Sequence, residues 1–494
     1  MGFVIGCDVG SQSLKGVLVS PDGLTVAEAS AEYPMSFPEP GHAEQDAEAW
    51  LIALASVIQR LVQDAALTAK DIGTLGLAAQ LDGFVPVGTG GATLGPAVIW
   101  MDRRAADECA LLSETVASAL VFEITGLNLD ASHVAPKVMW LRRHNPRLFA
   151  ACSWFPSPAS FVVERLTGNR IIDRTNASST MLYDVRANAW SDRLFEATGL
   201  DAGHFGRITD SGEVVGRLTE SAAAMLGLTP STKVIAGCGD DHGGSLGAGL
   251  VHAGMIGDVV GTAEPVTATF ANPVFDSSRL VETHAHAAAD LWLIENPGFV
   301  SGGSIRWFSE LTGVADPIEF ARLAEAAPAG AKGVLFLPCL GGATAPVWDD
   351  RARGAFCGLT LGHDRSDLAR AVLEGCSFAF RDITDRLVEL GVPAGEAARV
   401  VGGGSRSQVW CQIKADVTGR PLRAVATQHA TAIGAAMMAA VAEGEFSSLA
   451  EAAGPLVSLG ESFEPRPELR SVYDDAYGRY RESFAALQAV GSPA

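Results

Sequence analysis

The chain has 494 residues, 48% of them hydrophobic and 19% charged, with 54 glycines and a formal net charge of -21. That length exceeds one ordinary core and predicts two to four domains of roughly 100–200 residues. The acidity, without a Lys/Arg run anywhere, argues against nucleic acid as a partner, because phosphate backbones demand basic patches. Eight scattered cysteines (7, 109, 152, 238, 339, 357, 376, 411) include no C-x-x-C pair, so no disulfide framework or thiolate zinc site is expected. The N-terminus lacks a charged stretch followed by an apolar h-region. The longest apolar run, 432–442, falls short of the ~18 residues of a bilayer span. A reduced, cytoplasmic protein without membrane contact is the expectation.

In chain order, "VIGCDVGSQSLKGVLVSPDGL" (4–24) reads as a hairpin with turn chemistry at Ser20-Pro21-Asp22-Gly23, followed by a third strand near 24–33. It carries an acid, Asp8, at the inner end of a buried-looking strand, which is costly unless something pairs with it. A helix is predicted from Asp46, an N-cap, with Trp50, Leu54, Val57, Ile58 and Leu61 at helical spacing. Short strands are predicted at 72–80 and 97–100, and a helix-rich middle over about 105–225. Near 233 the pattern resets: "KVIAGCGDDHGGSLGAG" runs a strand into acids and glycines, and "IGDVVGTAEPVTATF" (256–270) gives two more strands. Strands at 333–338 and 399–404 and helices at 366–390, 407–418 and 429–443 follow, with a terminal helical segment. The repeated style predicts a two-domain α/β duplication with a cleft between closely packed halves.

Three glycine-rich turns follow predicted strands: Gly10-Ser11-Gln12-Ser13, Gly261-Thr262 and Gly402-Gly403-Gly404-Ser405. Glycine lets backbone N–H groups approach an anion, and neighbouring hydroxyls can donate to phosphate oxygens. None of the three is a Walker P-loop, and G-x-G-x-x-G is absent. Asp240 repeats the arrangement of Asp8, a strand, an acid, then small residues, which suggests two acids meeting across a cleft. An acid beside phosphates can hold Mg²⁺ or accept a proton from an attacking hydroxyl. Two competing signals stand beside this one. Gly243-Gly244-Ser245-Leu246-Gly247 matches G-x-S-x-G and makes Ser245 a candidate hydrolase nucleophile, although Asp240-Asp241-His242 separates it from its strand. His284 and His286, with Asp290 nearby, look like a metal pair without a third ligand, more simply a satisfied or exposed pair.

Taken together, these segments resemble the FGGY family of carbohydrate kinases, most closely its xylulokinase-like members, over nearly the whole chain. "IGCDVGSQSLKGVLVSPDG", "GHAEQDAEAW" (41–50), "VIWMDRRA" (98–105), "AGCGDDHGGSLGAG", "GAFCGLTLGHDRSDLARAVLE" (354–374) and "GGGSRSQVWCQIKADVTGRPL" (402–422) carry the likeness. The resemblance implies two actin-like, ribonuclease-H-like α/β domains, here 1–247 and 248–494, with the last ~40 residues packing back on the first. It implies ATP and Mg²⁺, a small-molecule sugar and a homodimer. By this carry-over Asp240 is the general base, and Asp8 holds Mg²⁺ with Asp240 beside it. Gly10, Ser11, Gln12 and Ser13 line the phosphates, opposed by Gly261 and Thr262. Gly402, Gly403, Gly404 and Ser405 border the adenosine, and Gln80, Leu81, Asp82 and Asp102 face the sugar.

The implied reaction phosphorylates a terminal hydroxyl of a ketopentose, D-xylulose first. Another ketose or a polyol (ribulose, erythritol, a pentitol) is the alternative, as are a serine hydrolase using Ser245 and a nucleotide module that closes without catalysis. Two stretches depart from the xylulokinase pattern. Gln80-Leu81-Asp82-Gly83 stands where Gln-Met-His-Gly is usual, and Ala343-Thr344 where a Glu-Arg pair is often found. An ionised Asp82 only accepts hydrogen bonds, whereas a His could also donate to a ketone oxygen.

Overall fold

A computed structural model describes residues 2–314 and 316–490. Strands β1 (Phe3–Val9), β2 (Ser13–Val19) and β3 (Thr25–Glu32) form an antiparallel meander. Its second turn is the predicted one, closed by Gly23 at φ 83°. Helix α1 (Ala47–Asp64) starts where Asp46 accepts the Glu48 N–H at 3.0 Å and buries Trp50, Leu54, Val57, Ile58 and Leu61. Strand β4 (Ile72–Ala79) pairs parallel to β1. The helix-rich middle includes α2 (Val134–His144) and α3 (Arg174–Ser179). Much of it packs around a small core of its own, with Phe84, Val121, Phe155 and Phe205 at its centre. Strands β5 (Val214–Arg217), β6 (Lys233–Ile235) and β7 (Cys238–Gly239) then complete a seven-stranded sheet of order β5-β6-β4-β1-β2-β3, with β7 on β4.

Helix α4 (Asp240–Gly247) leads into the second half. There β8 (Ile256–Val260), β9 (Ala263–Phe270), β10 (Glu282–Ala285) and β11 (Trp292–Val300) are antiparallel neighbours. Helices α5 (Gly302–Thr312) and α6 (Arg365–Glu389) follow. Next come β12 (Ala398–Gly402), α7 (Gln408–Thr418), β13 (Leu422–Val425), α8 (Ala430–Glu443), α9 (Leu449–Leu456), β14 (Leu459–Phe463) and α10 (Arg470–Val490). The second sheet has the order β10-β11-β9-β8-β12-β13-β14. The path β3-β2-β1-β4-β6 of the first sheet repeats as β11-β9-β8-β12-β13. In each case an antiparallel meander is extended by two parallel strands. This is the duplicated α/β architecture the sequence predicts.

The halves meet along α8, which belongs to the second half by sequence but lies on β1 and β4 of the first sheet and against α4. The approach is backbone to backbone. A Cβ on Gly6 would stand 2.1 Å from Ala432 O, and one on Gly76 2.2 Å from Ala435 O. A Cβ on Gly434 would stand 2.0 Å from Gly243 O, and one on Gly247 1.8 Å from Ala430 O. Alanines 432, 435, 436, 439 and 440 fill the remaining seam. The returning segment is therefore α8–α9. Among the described residues, α10 does not pack back on the first half as expected of the last ~40 residues: its Tyr473, Ala476, Tyr480 and Phe484 are buried in the second-half core.

This seam predicts that Gly434→Ala costs about 3 kcal/mol or more, the upper end of overpacking penalties. Gly478→Ala, on the exposed face of α10 with no atom within 4 Å of a Cβ, gains about 0.5–1 kcal/mol from helix propensity. Denaturant melts of both variants check the contrast. Equal, small effects would mean the helices do not touch.

Candidate active site

Asp8 is the sixth residue of β1, paired in register with Lys15 of β2 and Ala78 of β4. Asp240 opens α4 directly after β7, which pairs with Ala78 and Ala79 of the same β4. Two parallel connections thus deliver two acids to one end of the first sheet. Asp240 accepts the N–H of Asp241 at 3.2 Å and that of Leu81. Asp8 is buried, and its Oδ1 has no hydrogen-bond partner among the described residues. Burial, then the charge of Asp240, pushes the Asp8 carboxyl up to about 7. Burial raises Asp240 as well, and burial with Asp240, Asp82 and Asp8 lifts Asp241 to about 8. Asp8 and Asp240 thus come together at one end of the first sheet, not across a cleft between the halves as the sequence suggests, and Asp82 and Asp241 join them.

The turn after Asp8 is tight. The Gly10 N–H donates to Ser13 O at 3.2 Å, and Tyr33 Oη donates to Gly10 O at 2.6 Å. Ser11 links this turn to the segments carrying Gln45 and Trp100: its hydroxyl accepts the Trp100 indole N–H at 2.9 Å, and its carbonyl accepts from Gln45. On the second sheet, Gly261 and Thr262 form the exposed turn between β8 and β9. Gly302 of α5 must lack a side chain here, since a Cβ would come within 2.1 Å of Gly261 O. Gly402 pairs with Val260 in the β8–β12 register and turns at φ 95°, where a Cβ would meet Val260 O at 2.7 Å. The turn Gly402-Gly403-Gly404-Ser405 therefore lies beside the Gly261 turn on adjacent strands. Beneath them, Lys414 of α7 donates to Asp258 Oδ2 at 2.5 Å and Glu264 Oε1 at 2.8 Å. All three are buried, so one cation fastens both strands of the hairpin that presents Gly261 and Thr262.

On the other side, Gln80 is buried and donates to Gln45 Oε1 at 2.7 Å. Leu81 packs where Gly239 has no Cβ, which would lie 2.3 Å from Leu81 Cδ2. Asp82 adopts a left-handed backbone (φ 54°), tolerable for Asp. Its Oδ1 accepts from Ser179 and lies 3.2 Å from His133 Nδ1. Lys137 Nζ donates to the backbone oxygens of Asp82 and Ile99, both at 2.8 Å. Burial drives this lysine down to about 7 despite the nearby acids. Asp102 corrects the expectation that it faces the sugar. It is fully buried, its oxygens taken by the Ala43 N–H at 2.6 Å and by Arg104 N and Nε. It braces the loop instead.

His133 and Lys137 were missed from the sequence. Lys137 interrupts the apolar stripe Val134, Val138, Leu141 of α2, a signal that could have marked it as buried and partnered. His133 precedes that helix and carries no local signature.

The hydrolase alternative fails on geometry. Ser245 lies inside α4, buried, not on a strand-to-helix elbow. His286 Nε2 is 3.3 Å from its hydroxyl, but His286 Nδ1 accepts the Ala288 N–H at 2.9 Å. With Nδ1 as acceptor, Nε2 carries the proton and cannot take one from serine. His284 and His286 are buried rather than exposed, and burial lowers them to about 4 and 3, so both are neutral. Among the described residues, no group of three or more His, Cys, Asp or Glu is arranged to hold a metal ion.

The family models match along both halves. That for the N-terminal domain of the FGGY family of carbohydrate kinases covers residues 3–247, and that for its C-terminal domain covers 259–443. A xylulose kinase of Escherichia coli strain K12 is 30% identical over 98% of this chain and 99% of its own. A glycerol kinase of Gloeobacter violaceus is 30% identical over 96% of this chain and 95% of its own. The crystal structure of xylulose kinase from Rhodospirillum rubrum superposes with a TM-score of 0.93 at 29% identity, covering 99% of both chains. The two-domain actin-like fold is shared.

The Lys414 triad generates a pH test. Burial, then Asp258, pushes Glu264 up from its ordinary 4.5 to about 8, against the pull of Lys414. The folded form then holds a proton the unfolded chain has lost, so this group's contribution to stability falls as pH rises from about 4.5 to about 8. The slope is at most about 1.4 kcal/mol per pH unit. Glu264→Gln keeps an acceptor for Lys414 without the titration, so its denaturant stability should fall less than that of the native protein between pH 5 and 8. Parallel curves would refute the shift.

Proposed function

The chain belongs to the FGGY family of carbohydrate kinases, and on that premise we propose that it phosphorylates the terminal hydroxyl of D-xylulose. The products are D-xylulose 5-phosphate and ADP. As a carbohydrate kinase it is an ATP-dependent phosphotransferase with an alcohol as acceptor. The xylulose kinases of Escherichia coli and Rhodospirillum rubrum support the choice of sugar. The observation that carries the mechanism is the convergence of Asp8, Asp82, Asp240 and Asp241 at the ends of β1, β4 and β7.

Asp240 is the general base in this reading. Burial holds its carboxyl above the ordinary carboxylate range, which makes it a better proton acceptor. The sugar hydroxyl oxygen attacks the γ-phosphorus as its proton passes to Asp240. The new O–P bond forms while the bond to the β–γ bridging oxygen breaks, and ADP leaves with that electron pair. The Gly10–Ser13 turn and the Gly261–Thr262 turn supply N–H and hydroxyl donors to the phosphates, and Gly402–Ser405 borders the adenosine. Closure of the two halves excludes water, which would otherwise compete as acceptor.

Asp8 fits Mg²⁺ on this structure's own terms. An unpartnered, buried carboxylate oxygen beside a second acid invites a cation, and Mg²⁺ takes most of its ligands from phosphates and water. When bound, the ion neutralises charge on the β- and γ-phosphates. A reducing cytoplasm is supported by eight free cysteines. A second reading, a polyol such as erythritol or a pentitol, or ribulose as another ketose, draws on Asp82, whose carboxylate suits hydroxyls, and on the glycerol kinase relative.

Asp240→Asn should lower sugar-dependent ADP release about 10²–10⁴-fold while ATP binding, followed by calorimetry, is retained. Turnover within a few-fold of native would remove Asp240 from the role of base. Asp8→Asn should raise the Mg²⁺ concentration for half-maximal rate roughly tenfold or more; an unchanged requirement would place the ion elsewhere. A panel of ketopentoses, ketohexoses and polyols, scored by kcat/KM, decides the sugar, and D-xylulose should lead it.

A further inference from the structure

We propose that Asp82 and His133 form one substrate-reading unit, in which His133 Nε2–H donates to the carbonyl oxygen of the ketose and Asp82 accepts from the adjacent hydroxyl. The inference rests on the ketopentose reading above and names the residue that recognises the ketone. At position 82 the xylulokinase pattern has a histidine, a group able to donate; the acid found here cannot. The structure returns an imidazole to the same place from another element. His133, immediately before α2, lies with Nδ1 3.2 Å from Asp82 Oδ1 and 3.0 Å from Ser179 O.

Both of those neighbours are acceptors, so Nδ1 carries a proton and the ring orientation is fixed. His133 Nε2 then has no hydrogen-bond partner among the described residues, nor does Asp82 Oδ2, and neither atom is sealed from solvent. A pair that only fastened the loop after β4 to the start of α2 would have no reason to leave a donor and an acceptor open.

The position suits the reaction. The N–H of Leu81, the residue before Asp82, binds the Asp240 carboxylate, so the unit is one residue away from the base. Lys137 anchors the Asp82 carbonyl from below. Against the cost of burial, Asp82, Glu282 and Asp130 push the imidazole up to about 9, which keeps Nε2 a donor at neutral pH. Against the cost of burial, His133, Lys137 and Ser179 hold Asp82 below the usual carboxylate range, so it stays an acceptor.

The test separates the two ring nitrogens. His133→Asn places an amide N–H where Nδ1 stands and has nothing at Nε2; His133→Gln reaches toward the Nε2 position. Each variant is assayed for kcat/KM with D-xylulose and with xylitol, which lacks the carbonyl, and for KM of ATP. His133→Asn should retain the native melting temperature and KM for ATP. It should lose about 10–100-fold in kcat/KM for D-xylulose, mainly through KM, the worth of a hydrogen bond from a charged donor. Xylitol should change less than about threefold, since it has no carbonyl to read. His133→Gln should recover part of the loss. Equal losses on both substrates, or none on D-xylulose, overturn the proposal. Should either variant not fold, Asp82→Asn, which leaves the imidazole without its counter-charge, must also narrow the D-xylulose to xylitol ratio; an unchanged ratio overturns the proposal. Native enzyme that prefers xylitol would overturn the ketopentose reading itself, a failure visible before any variant is made.

Discussion

Two helices from opposite halves touch without side chains between them, and the site depends on that contact. Gly243 and Gly247 of α4 face Gly434 and Ala430 of α8, while Gly6 and Gly76 let α8 lie flat on the first sheet. Asp240 and Asp241 are the first two residues of α4. Their position relative to Asp8 is therefore set by how closely α8 can approach β1 and β4. Glycine gives an approach that no alanine helix could reach, and it fixes the distance because nothing compressible lies between.

The acids gathered there are held at a cost that the protein balances unevenly. Asp8, Asp240 and Asp241 lack a strong cationic partner, and burial shifts all three upward. His133 and Lys137 attend Asp82, which shifts downward. In the second sheet, Lys414 serves two acids at once. The charge pattern divides the site into acids without a counter-charge and acids already paired.

Much of this was legible in the sequence because its signals were local. The meander, the N-cap at Asp46, the strand at 72–79 and the repeated strand–acid–glycine pattern rest on residues within a few positions of one another. What escaped was nonlocal. Nothing near 133 announces that its ring meets residue 82, and Asp102 reads as a free acid until Ala43 and Arg104 are brought to it by folding. The terminal helix falls to the second half, against the expectation carried over with the resemblance, because a helical pattern names a buried face and not the surface that buries it. The apolar run 432–442 carried the opposite information: its alanines with Gly434 leave a face of small side chains built for close contact.

The route of α8 also bears on how the chain is made. One face of the first sheet, built from residues 3–79, is covered by residues 430–443. During synthesis that face stays open until almost the entire chain has left the ribosome. Assembly is thus completed from the carboxyl end, and a nascent chain stopped short of α8 exposes a glycine-floored groove as wide as a helix.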